Sequence, residues 1–207
     1  MSKYHIPLLP DGMYHIHSRA VGNEKLFLND GNYEFFLRKY KKYILPVADT
    51  FAFSLLPNLF HFLVQIKPPL PLESYFIQKN GGNSFDLNQA PNLIMKCFSN
   101  LLNSYTKSFN NVYERKGSLF IDYLRRVEIN RDKQLGPTVF YIHNNSVHHG
   151  YSKKISTWRW SSYNMLVGNS ETILKRTEVL DWFGGLPAFE QYHKQPIYLK
   201  NAQIIEY

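Results

Sequence analysis

Leu59-Phe60-His61-Phe62-Leu63-Val64-Gln65-Ile66 (LFHFLVQI) holds no turn former and is dense in aromatic and branched side chains, the composition of a strand. Period-two alternation groups His61 with Leu59 and Leu63 on one face and sets Phe60, Phe62 and Val64 on the other. By residue type alone, His61 reads as a core imidazole held by one hydrogen bond, because a single histidine does not define a metal site. The preceding Pro57-Asn58 is turn-prone, and residues 50–56 form another β-rich run, so the region is two strands or one interrupted strand.

Further upstream, YHIHSRAV (14–21) alternates large with small or polar residues and reads as a first strand with unlike faces. Asp30 is placed to cap DGNYEFFLRKYKKYI, where Tyr33, Phe36, Leu37, Tyr40 and Ile44 share a face and Arg38, Lys39, Lys41 and Lys42 stay wet. That amphipathic helix should end before Pro46. Downstream, the Pro, Gly and Asn content of 68–92 predicts a mobile linker without helix or strand. From 93 to 115, Phe98, Leu101, Leu102, Tyr105, Phe109 and Val112 recur at helical spacing. Lys116-Gly117 stops that helix, 118–129 reads as a strand, and Gly136-Pro137 restarts the backbone before a short helix over 139–144. A last helical stretch lies near 178–183. This order predicts an α+β fold, an antiparallel sheet with helices packed on one face.

The chain has 207 residues and is 44% hydrophobic, enough to build a substantial core. The lone Cys97 excludes an internal disulfide, and no secretory leader is recognisable, so a cytoplasmic location is expected. Ser54, Pro57, Asn58, His61 and Gln65 break the longest apolar run, so no membrane span is predicted. Lys and Arg number 24 against 16 Asp and Glu, and the net charge of +8 favours a polyanionic partner. Lys107, Arg115, Lys116, Arg125 and Arg126 form either a solvated face or, the last four bracketing one strand, a phosphate-binding surface. Tyr141 and Asn145, four apart, project from neighbouring turns of one helix face. His143, His148 and His149 are spaced as solvated loop residues. Trp158 and Trp160 read as core anchors, with stacking on an unpaired base physically available.

Together these segments resemble the single-tyrosine HUH transposases, in particular the REP-associated tyrosine transposase branch. The likeness runs from about Tyr14 to Tyr163 and rests on YHIHSRAVGNEKLF, LPNLFHFLV, NSYTKSFNNVYERKGSLF and YIHNNSVHHGY followed by WRWSSY, in the family's order. It implies a ferredoxin-like domain over 1–167, with 168–207 a C-terminal extension, that acts as a homodimer on hairpin and single-stranded DNA. It further implies strand cleavage and rejoining through a 5′-phosphotyrosine. Tyr141 matches the family's nucleophile. His61 and Asn145 match ligands of a divalent cation, Mg²⁺ or Mn²⁺, and Lys107, Arg115, Lys116, Arg125 and Arg126 are expected at the DNA. The chain departs from the pattern at Leu59, which replaces a ligating histidine. It departs again at Gly136-Pro137, which interrupts the tyrosine helix, and at Ser146, where the family commonly has proline. The weakly anchored ion implies impaired cleavage; the other expectation is a degenerate DNA-binding protein.

Overall fold

The computed structural model describes residues 6–82, 84–121 and 124–195. Its frame is a four-stranded antiparallel sheet of β1 (Met13–Arg19), β2 (Ala48–Leu56), β3 (Leu59–Ile66) and β4 (Arg125–Glu128), in the order β2-β3-β1-β4. Register fixes what each face carries, because residues opposite one another across antiparallel strands share a face. Phe53, Phe62, Ile16 and Arg126 form one row across the sheet, and Ser54, His61, His17 and Arg125 form the next, on the opposite face.

The apolar face is covered by α1 (Asp30–Tyr43) and α3 (Ala90–Val112), the expected helical layer of this α+β fold. Phe62 stacks on Tyr40 of α1 with ring centroids 4.2 Å apart, and Phe36 lies 5.3 Å from Phe60. Asn29, rather than Asp30, caps α1, its side-chain oxygen accepting from the Asn32 backbone N–H at 3.2 Å. The interval 68–92 is not the unstructured linker its composition predicts. Residues Pro69–Lys79 form helix α2, with Leu72 and Phe76 buried, followed by a 3-10 turn at Leu87–Gln89. Prolines at a helix's first turn give up only N–H groups that would have no partner, so Pro69 starts this helix instead of preventing it.

The polar face of the sheet is crossed by α4 (Arg131–His148). The predicted restart at Gly136-Pro137 does not occur, and the helix runs through both residues. Pro137 is exposed, so the carbonyl that loses its helical donor can turn to water. Of the strand expected over 118–129, residues 125–128 enter the sheet, and Asp122 and Tyr123 lie outside the described residues.

Beyond α4 the chain seals the outer edge of β2, which would otherwise offer unpaired backbone groups. Leu55 N–H donates to Trp160 O at 2.9 Å, and Lys175 N–H donates to Thr50 O at 2.9 Å. Three helices finish the described chain: α5 (Tyr163–Val167), α6 (Arg176–Phe183) and α7 (Leu186–Lys194). Gly184 and Gly185 make the α6–α7 turn at φ of 84° and 104°, values that L side chains rarely adopt. Residues 196–207 of the expected extension lie outside the described residues. Among the described residues no helix is long and apolar enough to cross a membrane.

Candidate active site

Alternation in β1 points both His15 and His17 to the face that carries His61, and the register sets His17 directly opposite His61. The three imidazoles form one cluster. His15 Nε2 lies 2.9 Å from His61 Nδ1, and ring centroids are 5.0 Å apart for His15 and His17 and 5.3 Å for His17 and His61. α4 brings Tyr141 onto this cluster, its ring perpendicular to that of His61 at 5.5 Å and edge-on to His15 at 5.9 Å.

Asn145 stands one turn beyond Tyr141, and His149 one turn beyond that. Tyr141 touches His61, and His149 lines the same cleft as His61, so the Asn145 between them faces that cluster too. Asn145 is 1% exposed, and neither its Oδ1 nor its Nδ2 has a hydrogen-bond partner. His17 Nε2 is likewise buried without a partner. Orphaned polar atoms of this kind are rare in folded proteins, and a water or a bound ligand supplies such a contact.

Beside the cluster lies an open cleft of about 490 Å³, lined by His17, Arg19, Leu59, His61, Arg125 and His149 among others. Arg19 and Arg125 bring positive charge to it, while burial keeps the imidazoles of His15, His17 and His61 neutral. Desolvation pushes His15 and His61 well below the ordinary imidazole range. Desolvation, assisted by the Arg125 charge, lowers His17 to about 4. Leu59 sits in the cleft as a hydrocarbon wall.

The basic residues singled out in the sequence separate in space. Arg125 shares the cluster's row of the sheet and lines the cleft. Arg126 belongs to the opposite face, where its Nε donates to Ile6 O at 2.7 Å and its Nη1 lies 3.0 Å from Met95 Sδ. Arg115 clasps its own loop, donating to Ser118 O at 2.7 Å and pairing with Glu24 at 3.1 Å. Lys107 is exposed on α3, on the far side of the sheet, and Lys116 is exposed after it. The four residues around β4 therefore do not line one surface. Trp158 and Trp160 anchor the core: Trp158 Nε1 donates to Leu55 O at 2.9 Å, and Trp160 stacks on Tyr33 at 4.5 Å.

Two features escaped the sequence reading. His15 and His17 were legible as a histidine pair at strand spacing, yet nothing local says that β1 pairs with β3 in the register that delivers them to His61. His143, expected in a solvated loop, is fully buried on α4. The chemistry assembled here is a phenol, three neutral imidazoles and an amide beside a cationic cleft. Among the described residues no three His, Cys, Asp or Glu side chains group to hold a metal ion. A cation here would need, besides imidazoles, the Asn145 amide and oxygens from outside the chain.

No family model matches this chain, and no curated protein matches it. Among solved structures it is similar to one described as the REP associates tyrosine transposase bound to a REP hairpin. The TM-score is 0.56 and the identity 18%, with 81% of this chain and 86% of that chain covered. Likeness at that identity establishes the fold: helices with an antiparallel four-stranded sheet.

Proposed function

We propose that this protein binds DNA with a hairpin and a single-stranded flank, and that it cuts and rejoins one strand through Tyr141. The observation that carries the reading is the contact of Tyr141 with His61 and His15 at the edge of a cationic cleft. In the proposed step the Tyr141 oxygen bonds to phosphorus as the P–O3′ bond breaks. The phenol loses its proton, the departing 3′ oxygen gains one, and the phosphotyrosine keeps the bond energy for the return attack by a 3′-OH. Burial leaves the three imidazoles weakly basic, so the phenolic proton passes to water in the cleft. Arg125 and Arg19 would hold the flanking phosphates in the cleft.

The orphaned His17 Nε2 and Asn145 Oδ1 fit a divalent cation, to which His61 would add an imidazole nitrogen, a mixed set that suits Mn²⁺ better than the oxygen-preferring Mg²⁺. When bound, such an ion polarises the scissile phosphate and offsets its growing charge. Ligation by His61 requires the tautomer in which its Nδ1–H donates to His15 Nε2, leaving His61 Nε2 with a lone pair. His15 is then the residue that orients His61.

The second reading, a hairpin-binding protein that no longer cuts, draws on Leu59 in the cleft wall and on the 2% exposure of Tyr141. Incubation with hairpin oligonucleotides bearing a single-stranded flank, in Mn²⁺ or Mg²⁺, separates the two. A covalent adduct that survives denaturing gels and is absent from Tyr141→Phe supports cleavage. Adduct formed only by Leu59→His supports the degenerate binder, and absence of adduct from both with DNA binding retained ends the catalytic reading.

A further inference from the structure

A second buried polar chain lies on α4 and takes no part in the cluster above. His143 Nδ1 is 2.9 Å from His193 Nε2 on α7, and His143 Nε2 is 2.8 Å from Ser162 Oγ. His193 Nδ1 lies 2.8 Å from Phe189 O, and the Phe53 backbone N–H of β2 donates to Ser162 Oγ at 2.8 Å. The proton positions follow from the ends. A carbonyl only accepts, so His193 carries its proton on Nδ1 and accepts at Nε2. His143 therefore donates from Nδ1 and accepts at Nε2, and the Ser162 hydroxyl donates to it. Ser162 Oγ also lies 3.2 Å from Phe53 O, but that carbonyl already accepts the Ser162 backbone N–H at 2.9 Å, so the hydroxyl proton goes to His143. Every member is then satisfied with both rings neutral, and such a chain resists rearrangement. Its serine–histidine order is that of a hydrolytic relay, but Ser162 is wholly buried and its oxygen fully engaged.

The chain acts where α4 needs support. Pro137 deletes a helical hydrogen bond one turn before Tyr141, and Gly136 adds backbone freedom next to it. α6 and α7 sit against this weak point: a methyl placed on Gly136 would lie 3.6 Å from Phe183 and 3.7 Å from the Tyr192 hydroxyl. Beyond it, His143 ties α4 to β2 through Ser162 and to α7 through His193. Two bonds to different elements fix the rotation of a helix about its own axis, and Tyr141, two residues from His143, projects from the other side toward His61.

We propose that residues 174–195 form a splint across Gly136-Pro137, with His143 a positioning residue that sets the aim of Tyr141. The aiming role rests on Tyr141 as nucleophile; the splint itself does not. The test compares His193→Phe, which removes the acceptor, with His193→Gln, whose Oε1 can replace Nε2, in the full-length protein. Hydrogen exchange of amides 138–146, read by mass spectrometry, should accelerate about tenfold in His193→Phe, be largely restored in His193→Gln, and stay unchanged in β1 and β3. Adduct formation should fall in parallel, with hairpin affinity retained. Faster exchange without any wild-type adduct supports the splint and removes the nucleophile. Unchanged exchange in His193→Phe overturns the splint. Should that variant not fold, Phe183→Ala, which removes the ring packed at Gly136, gives the same test, with accelerated exchange over 138–146 expected and unchanged exchange contradicting.

Discussion

His17 stands opposite His61 in the β1–β3 register, with Nε2 buried and unpaired, while Leu59 on the neighbouring position offers only hydrocarbon. An imidazole can thus reach the cluster from the adjacent strand, and the proposed ion site is less depleted than the sequence suggests. His17→Ala should weaken Mn²⁺ binding at least about tenfold by titration calorimetry, and unaltered affinity would remove His17 from the ligand set. Arg125 and Arg126 make a second residue-scale contrast. Arg125→Ala should reduce the salt dependence of DNA binding by about one unit of log–log slope. Arg126→Ala should leave that slope alone and lower stability instead, since its guanidinium bonds Ile6 O and Leu124 O. Equal salt slopes in both variants would contradict the assignment of faces. Period two made those faces readable strand by strand. What it could not supply was the pairing register, which depends on side chains forty or more positions apart.

At the scale of elements, the helices over 30–43 and 90–112 were legible because one apolar stripe decides each. Two of the misread elements involve proline. Pro69 opens α2 and Pro137 sits on the wet side of α4, two placements where the residue is tolerated and where composition alone argues for a break. Phe62 joins layers by stacking on Tyr40, so Phe62→Ala should cost ~3–5 kcal/mol in urea unfolding; a loss under ~1 kcal/mol would mean that the strand packs elsewhere. The α4–α7 contact carries a pH signature. Desolvation lowers His193 to about 4, below its ordinary value near 6.5. Between those values the unfolded chain binds the extra proton, so stability falls as pH drops from about 6.5 toward 4, by up to ~3 kcal/mol from this residue. Guanidinium midpoints at pH 7.5 and 5 should differ, and His193→Gln should narrow the difference; an undiminished gap would place the titration elsewhere.

The whole molecule joins a sheet with one apolar and one polar face to a C-terminal run that closes the β2 edge and backs α4. The strand–helix order announced the α+β sheet, and the apolar covering of one face followed from it. The return of 160–175 to β2 was not legible, because Lys175 N–H and Thr50 O meet only after the sheet exists. Three candidate residues, Tyr141, His61 and Asn145, converge although the chain separates the first two widely, and this convergence is the basis for the chemistry proposed. The most direct measurement is proteolytic digestion and mass spectrometry of protein reacted with hairpin DNA bearing a single-stranded flank in Mn²⁺. A nucleotide-bearing peptide with the added mass on Tyr141 is the predicted result. Added mass on another tyrosine, with Tyr141 unmodified, would contradict the account.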